Sequence, residues 1–159
     1  MHPGRDMSMV LLIMPDPTPP SIHRIRLKGP WEWAVPTASP AVAWIWSRIR
    51  LPDEWARLPE QAGPVWFRRR FHTPTGITPT DRVRLAIPTT HRQVAVNLNG
   101  HSLVAISLAN PEPEAIVRFE ISGHLADRNL LEIILEGGVS PTNVDGGLGH
   151  PVVLEIEPA

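Results

Sequence analysis

The residues from Trp44 to Arg50 are those whose types and spacing most directly suggest binding chemistry. Successive side chains of a β-strand point to opposite faces of the sheet. A strand from Ala43 to Leu51 would therefore place Ile45, Ile49 and Leu51 on one face and Trp44, Trp46, Arg48 and Arg50 on the other. Flat aromatic rings can stack on the apolar faces of sugars, and arginine donates paired hydrogen bonds to anions. We predict that the second face binds an oligosaccharide or a protein partner.

The tryptophans also allow a structural interpretation. Trp44 and Trp46 could pack against another segment, such as the N-terminal strand, and belong to the core. For the other four tryptophans we expect packing roles: Trp31 and Trp33 after a Gly-Pro pair, Trp55 at one end of the fold, and Trp66 at the start of a strand.

Arg69 is a further candidate contact for a ligand. On a strand, Phe67, Arg69 and Phe71 alternate onto one face, which we assign to the core. A buried guanidinium group requires a carboxylate or several carbonyl oxygens as partners, and Glu132 or Glu120 could supply the carboxylate. In the alternative interpretation, Arg69 lines a pocket and binds an anionic ligand through two parallel hydrogen bonds.

The remaining polar residues form no catalytic or metal-binding motif. The seven histidines lack His-x-His and Glu-x-x-His spacing, and no nucleophile elbow surrounds a serine. His101, His124 and His150 would bind zinc only if they converged at one end of the fold. The acidic residues are scattered, and we expect the following to be solvated: Asp53, Glu54, Glu112, Glu114, Glu155 and Glu157. We therefore expect no catalytic residue, no metal and no cofactor.

Charge and composition restrict the partners. A formal net charge of −1 gives no electrostatic basis for binding nucleic acid or an anionic membrane. The absence of cysteine excludes disulfides and thiolate chemistry. The apolar run from Met9 to Met14 is too short to span a bilayer, and no clear A-x-A cleavage site follows it. We expect a cytoplasmic rather than a secreted protein.

The elements that must position these residues are short strands. The 159 residues suit one domain, with residues 1–21 as a flexible N-terminal extension and residues 22–159 as a single β-sandwich domain. Alternating apolar runs between turn residues predict an all-β, antiparallel, jelly-roll-like sandwich of about nine strands. The runs are Ile22–Lys28, Ala43–Leu51, Trp66–Thr73, Arg82–Pro88, Gln93–Leu98, Ser102–Leu108, Ile116–Ile121, Leu130–Glu136 and Val152–Ile156.

Short turns join these runs. Asn99-Gly100 is the strongest hairpin signal, since a type I′ turn needs positive φ at both central positions. Pro52 begins a predicted helical turn, and Ser122 is a possible N-cap of another.

An ordered set of motifs runs through the chain. It comprises V-W-F-R-R-R-F-H-T-P from Val65 to Pro74, a strand that ends at Asn99-Gly100, Phe119 before a turn that ends at Leu125, and Asn129 before an apolar strand. This set resembles the N-terminal sugar-binding domain of family 2 glycoside hydrolases, the β-galactosidase and β-glucuronidase group. The resemblance implies a galactose-binding-domain-like fold. Gly149 stands where many members of that family have an aromatic residue.

The resemblance does not extend to catalysis. In that family the paired carboxylates lie on a separate (β/α)₈ barrel, and a barrel of about 250 residues does not fit in this chain. We therefore predict a stand-alone, non-catalytic carbohydrate-binding-like module with a carbohydrate or a glycosylated protein as its ligand. The alternative is a structural or protein-interaction module that dimerises or docks to a partner enzyme.

Overall fold

The computed structural model describes residues 21–37, 39, 41–90, 93–106 and 115–158. Within these residues the chain forms ten strands and three short 3₁₀ helices. The strands are β1 (His23–Arg26), β2 (Gly29–Ala34), β3 (Ser47–Leu51), β4 (Val65–His72), β5 (Arg82–Pro88), β6 (Val94–Leu98), β7 (His101–Leu103), β8 (Ile116–Glu120), β9 (Arg128–Leu135) and β10 (Val153–Glu157). The predicted N-terminal extension lies outside the described residues, apart from residue 21.

All pairings between these strands are antiparallel, and they form two sheets. The four-stranded sheet has the order β1-β10-β5-β8, and the six-stranded sheet has the order β3-β2-β4-β9-β6-β7. The predicted all-β sandwich architecture is thereby confirmed. The additional strand is β2, which begins at Gly29, directly after the predicted first strand Ile22–Lys28; the φ of 91° at Gly29 lets the chain leave one sheet and enter the other.

The inner faces of the two sheets supply the core. On the six-stranded sheet, Trp31 lies opposite Ile49 and Phe67 lies opposite Ile133; on the four-stranded sheet, Leu85 lies opposite Phe119. All six side chains are buried in one apolar cluster, as the alternation in the sequence predicts. Burying each such side chain stabilises the folded protein by roughly 1.5–3 kcal/mol. The alternation of apolar residues therefore determines which face of each strand is buried and which remains available for binding.

Two of the predicted packing tryptophans are core residues. Trp31 is inaccessible to solvent and its indole Nε1–H donates a 2.9 Å hydrogen bond to the carbonyl of Leu27. Trp55, in the 3₁₀ helix Trp55–Arg57, is buried against Phe67 and Gly147. A Cβ on Gly147 would lie 2.2 Å from Cη2 of Trp55, so the close packing of this end of the sandwich requires glycine there.

The predicted hairpin and the asparagine before β9 are parts of one hydrogen-bonded network. Asn99 and Gly100 have φ values of 53° and 83°, which confirms the hairpin turn between β6 and β7. The Asn99 amide donates to the Oδ1 of buried Asn129 at 3.0 Å. The Asn129 amide in turn donates to the carbonyl of Phe71 and to the Thr73 hydroxyl. Asn129 therefore connects the starts of β7 and β9 to the end of β4.

Two local predictions were wrong. The strand predicted from Ala43 begins at Ser47, so Trp44 and Trp46 lie on the connection that precedes β3. Ser122 begins the 3₁₀ helix Ser122–His124 but does not cap it; its hydroxyl bonds instead with the amide of Val83 and the carboxylate of Glu120. Among the described residues, no helix has the length and apolar character needed to cross a membrane.

Candidate ligand-binding face

The outer face of the six-stranded sheet brings most of the predicted binding residues together. Its strand registers align six side chains across the whole sheet, in the order Arg48, Glu32, Arg68, Glu132, Asn97 and Ser102. The next row of this face lies two residues further along the strands and contains Ala34, Trp66 and Ile134. The even-numbered positions of β4 therefore project from the side of the sheet that faces away from the core.

Three tryptophans form a half-buried group on this face, which we term the tryptophan cluster (Trp44, Trp46 and Trp66). Trp66 projects from β4, and the ring of Trp44 meets it edge-on with 5.1 Å between centroids. The rings of Trp44 and Trp46 are 6.0 Å apart. The chain before β3 thus folds back over the sheet and contacts Trp66, which remains partly exposed together with Trp44 and Trp46.

Arg68 fixes one side of this cluster. Its guanidinium carbon lies 3.8 Å from the centroid of the Trp46 ring, and its Nε donates a 3.0 Å hydrogen bond to Glu32. A guanidinium cation over a tryptophan ring is a favourable contact, and so is a hydrogen bond from that guanidinium to a carboxylate. One face of the Trp46 indole is therefore covered, and its orientation is set before any ligand arrives.

Beside the cluster lies a shallow depression of about 410 Å³, which we term the arginine depression. It is lined by Pro30, Glu32, Arg48, Arg68, Arg69 and Arg70. Arg48 is exposed on the edge strand β3, and Arg50 projects from the same strand two residues further on. Glu32 is the carboxylate of this depression, and it pairs with Arg68 at 3.0 Å and with Arg70 at 3.7 Å.

Arg69 is on the predicted inner side of β4 but has carbonyl rather than carboxylate partners. Its Nε and Nη2 donate to the carbonyl of Lys28 at 3.1 and 2.8 Å, and its Nη1 donates to the carbonyl of Arg70 at 3.1 Å. Neither Glu132 nor Glu120 forms an ion pair with it within the described part of the chain. Burial lowers the pKa of this guanidinium. Its contacts tie β4 to the chain between β1 and β2.

The expectation that Glu155 would be solvated is wrong. This residue is 6% exposed. Its carboxylate accepts hydrogen bonds from Arg118 at 2.7 and 3.3 Å and pairs with Arg24 at 3.4 Å. Burial raises the pKa of Glu155, but the hydrogen bonds and charges of Arg118 and Arg24 together outweigh it and bring the pKa below its ordinary value. This ion pair lies on the opposite sheet from the tryptophan cluster.

Among the described residues, His101, His124 and His150 do not converge. His101 and His124 stack with 5.1 Å between ring centroids, whereas His150 bonds with Asp145 at 2.6 Å. Asp145 accepts a backbone hydrogen bond from Thr90, which precedes β6, whereas His101 follows β6. Asp145 is therefore near the start of β6 and His101 is near its end. Across the ranges that the structure describes, no three His, Asp or Glu side chains form a group that could hold a metal ion. Glu112 and Glu114 lie outside those ranges.

Trp66, Glu32 and Arg68 contribute to this face although they are not among the predicted binding residues. The sequence predicts packing for Trp66, which begins a strand, and offers Arg69 rather than Arg68 as a candidate ligand contact. The alternation that places Phe67 in the core requires both neighbours to point outward, and that signal identifies them. Glu32 follows from the same rule, since Trp31 is in the core.

Solved structures of glycosidases contain a region with a similar fold. No protein-family model matches the sequence, and no curated protein is similar to it in sequence. Solved structures match: a β-glucuronidase of Faecalibacterium prausnitzii has a TM-score of 0.62 at 14% identity over 92% of this chain and 33% of its own. A Bifidobacterium dentium β-glucuronidase has a TM-score of 0.62 at 15% identity, over 92% and 31% of the two chains.

A β-glycosidase from Bacteroides vulgatus is similar over a smaller share. It has a TM-score of 0.58 at 16% identity, over 84% of this chain and 20% of its own. Identities of this size show a shared fold. The chain spans between a fifth and a third of the length of these three proteins.

Proposed function

We propose that this protein is a non-catalytic carbohydrate-binding module of the jelly-roll, galactose-binding-like class. The observation that carries the proposal is the half-exposed tryptophan cluster on the outer face of a sandwich that shares its fold with domains of glycosidases. The ligand would be a carbohydrate or a glycosylated partner. Its apolar C–H face would lie on the cluster, and its hydroxyls would meet the polar row that runs from Glu32 to Asn97.

The geometry favours stacking because the rings are already oriented. Trp44 is held edge-on by Trp66, and Trp46 is held by the guanidinium of Arg68. A platform that is ordered before binding loses little side-chain entropy when the ligand arrives, which improves affinity without additional contacts. Ring stacking does not distinguish between sugars that have an apolar face, so the platform by itself would accept several sugars.

A glycan panel tests the proposal directly. The full chain is titrated with neutral and acidic oligosaccharides by calorimetry and by NMR, at millimolar sensitivity. We expect at least one glycan to bind and the Trp44→Ala and Trp66→Ala variants to weaken that binding about tenfold or more. Val104→Ser is the matched control, because Val104 is a large apolar residue that is 85% exposed and lies outside the cluster. Absence of binding across the panel refutes the proposal.

A second candidate function has its own observation. Val42 and Ile45 are 54% and 79% exposed, directly beside Trp44 and Trp46. Exposed apolar residues next to tryptophans also suit a protein partner or a homodimer. Light scattering distinguishes the two: under this alternative an oligomer would be present and would dissociate in Ile45→Glu and Trp46→Glu. Ile45 is exposed enough for its substitution to leave the fold intact.

A further inference from the structure

The charges of the candidate face are unbalanced around the arginine depression. Arg48, Arg50, Arg68 and Arg70 stand around or beside it, and Glu32 is its lining carboxylate. Glu32 accepts its hydrogen bond from Arg68, and its contact with the exposed Arg70 is longer, at 3.7 Å. Among the residues that the structure describes, no carboxylate pairs with the side chain of Arg48 or Arg50. The face therefore holds cations that its own acids do not neutralise.

The strand register arranges these four arginines around a low floor. Arg48 and Arg68 lie on either side of Glu32, and Arg50 lies opposite Pro30. Arg70 lines the depression together with Pro30. Because adjacent strands are about 4.8 Å apart, the backbones of β3 and β4, which carry these arginines on either side of β2, are about 10 Å apart. Pro30 has a short side chain, so the space between Arg50 and Arg70 is open to a small group.

We propose that the arginine depression binds a carboxylate group carried by an acidic glycan, whose sugar ring rests against the tryptophan cluster. This inference rests on the proposed function and adds the charge class of the ligand. Arginine forks match the planar carboxylate through two parallel hydrogen bonds, and within the described part of the chain no ion pair occupies the side chains of Arg48 and Arg50. Arg68 belongs to both features, since it lines the depression and covers Trp46.

The charge pattern favours an isolated carboxylate over a nucleic acid strand. A single-stranded nucleic acid needs a continuous positive groove along its phosphates. Here Glu32 stands between Arg48 and Arg68, and Glu132 lies on the far side of Arg68 in the same row. A chain of phosphates that ran along that row would pass both carboxylates. A single carboxylate in the depression would instead meet the arginines at the rim of the depression.

Two matched pairs of ligands test the charge class. The first is oligogalacturonate with its methyl ester, and the second is C6-oxidised cello-oligosaccharide with its unoxidised form; each pair differs only in the carboxylate. We expect the acidic member of at least one pair to bind at least tenfold more tightly than the neutral member. We expect this preference to fall about tenfold in an Arg48→Gln/Arg50→Gln variant and to weaken with added salt. Oligothymidylate and polyglutamate serve as anions without a pyranose ring.

The control removes the same charge elsewhere. Arg26 and Arg82 are exposed on β1 and β5 of the four-stranded sheet, whereas the depression lies on the six-stranded sheet, so Arg26→Gln/Arg82→Gln should keep the preference. Equal binding of acidic and neutral members overturns the inference and leaves the proposed function standing. Arginine-dependent binding of oligothymidylate or polyglutamate as tight as that of the acidic glycans also overturns it. Absence of binding by every glycan refutes both proposals.

Discussion

The two outer faces of this sandwich use arginine in opposite ways. On the four-stranded sheet the registers align Arg24, Glu155, Arg84 and Glu120 in one row across the strands. Each arginine in that row pairs with a glutamate: Arg24 with Glu155 at 3.4 Å, and Arg84 with Glu120 at 3.5 Å. Arg118 reaches across β5 to the buried carboxylate of Glu155. This face uses its charges to hold its own strands together.

On the six-stranded sheet the corresponding row is only partly neutralised. Glu32 pairs with Arg68, while Arg48, at the edge, projects into solvent and the tryptophan cluster lies alongside. The same residue types therefore stabilise one sheet and remain available on the other. The difference lies in how many carboxylates the register brings to each arginine, and it predicts that charge removal on the two faces will have unequal costs.

The largest effect is expected at Glu155. Glu155→Gln removes the charge that neutralises Arg118 in a nearly solvent-free environment, and a charge left unpaired there should lower the free energy of unfolding by about 3 kcal/mol. Urea denaturation measures this loss. Glu157→Gln is the control on the same strand, where the more exposed pair with Arg84 should contribute about 0.5 kcal/mol or less. Equal losses in the two variants would contradict the distinction between buried and exposed pairs.

Acid should weaken the four-stranded sheet through the same residue. The pKa of Glu155 is below its ordinary value in the folded protein, so its contribution is complete above the ordinary glutamate pKa of about 4.3 and is lost as the pH falls through the lower, folded value. We expect the stability difference between the native protein and Glu155→Gln to shrink as the pH is lowered from about 6 to about 3. A difference that stays constant over this range would show that the charge of Glu155 is not the origin of its effect.

A smaller effect is expected in the tryptophan cluster. Trp44→Ala removes an edge-on contact with Trp66 and a second contact with Trp46, all at half-buried positions. The loss should be about 1–2 kcal/mol, since each aromatic pair contributes about 0.5–1.5 kcal/mol beyond its buried area and these rings remain partly solvated in the folded protein. Thermal unfolding measures it. A loss as large as that of Glu155→Gln would mean that Trp44 is a core residue and that the cluster is structural rather than a platform.

The sequence predicted the strands well where alternation alone decides the structure. The core positions Phe67, Phe71 and Leu85 and the Asn99-Gly100 turn follow from period-two patterning and from the φ values that each residue allows. Alternation failed between Ala43 and Trp46, where it continues although no strand forms. The rings there meet Trp66 rather than a neighbouring strand, and that contact between distant residues has no local signature.

The candidate site was predictable only in its residue types. Trp44, Trp46, Arg48 and Arg50 do gather near one face, but β3 carries only the two arginines. The burial of Glu155 was not predictable, because it depends on Arg118, which lies two strands away in the sheet and 37 residues away in the chain. Sequence spacing does not show which carboxylates the register will bring to an arginine.

The smallest effect is expected where the two faces differ most. Arg48→Gln/Arg50→Gln should change the free energy of unfolding by no more than about 0.5 kcal/mol, because these exposed side chains form no ion pair within the described residues and glutamine keeps most of their aliphatic stems. Urea denaturation at low salt measures this change beside the loss in Glu155→Gln. A gain in stability would be informative, since it would show that the arginines repel one another in the free protein. Such repulsion is the cost that an anionic ligand would relieve on binding, whereas a clear loss would show that this face, like the other, uses its arginines to hold strands together.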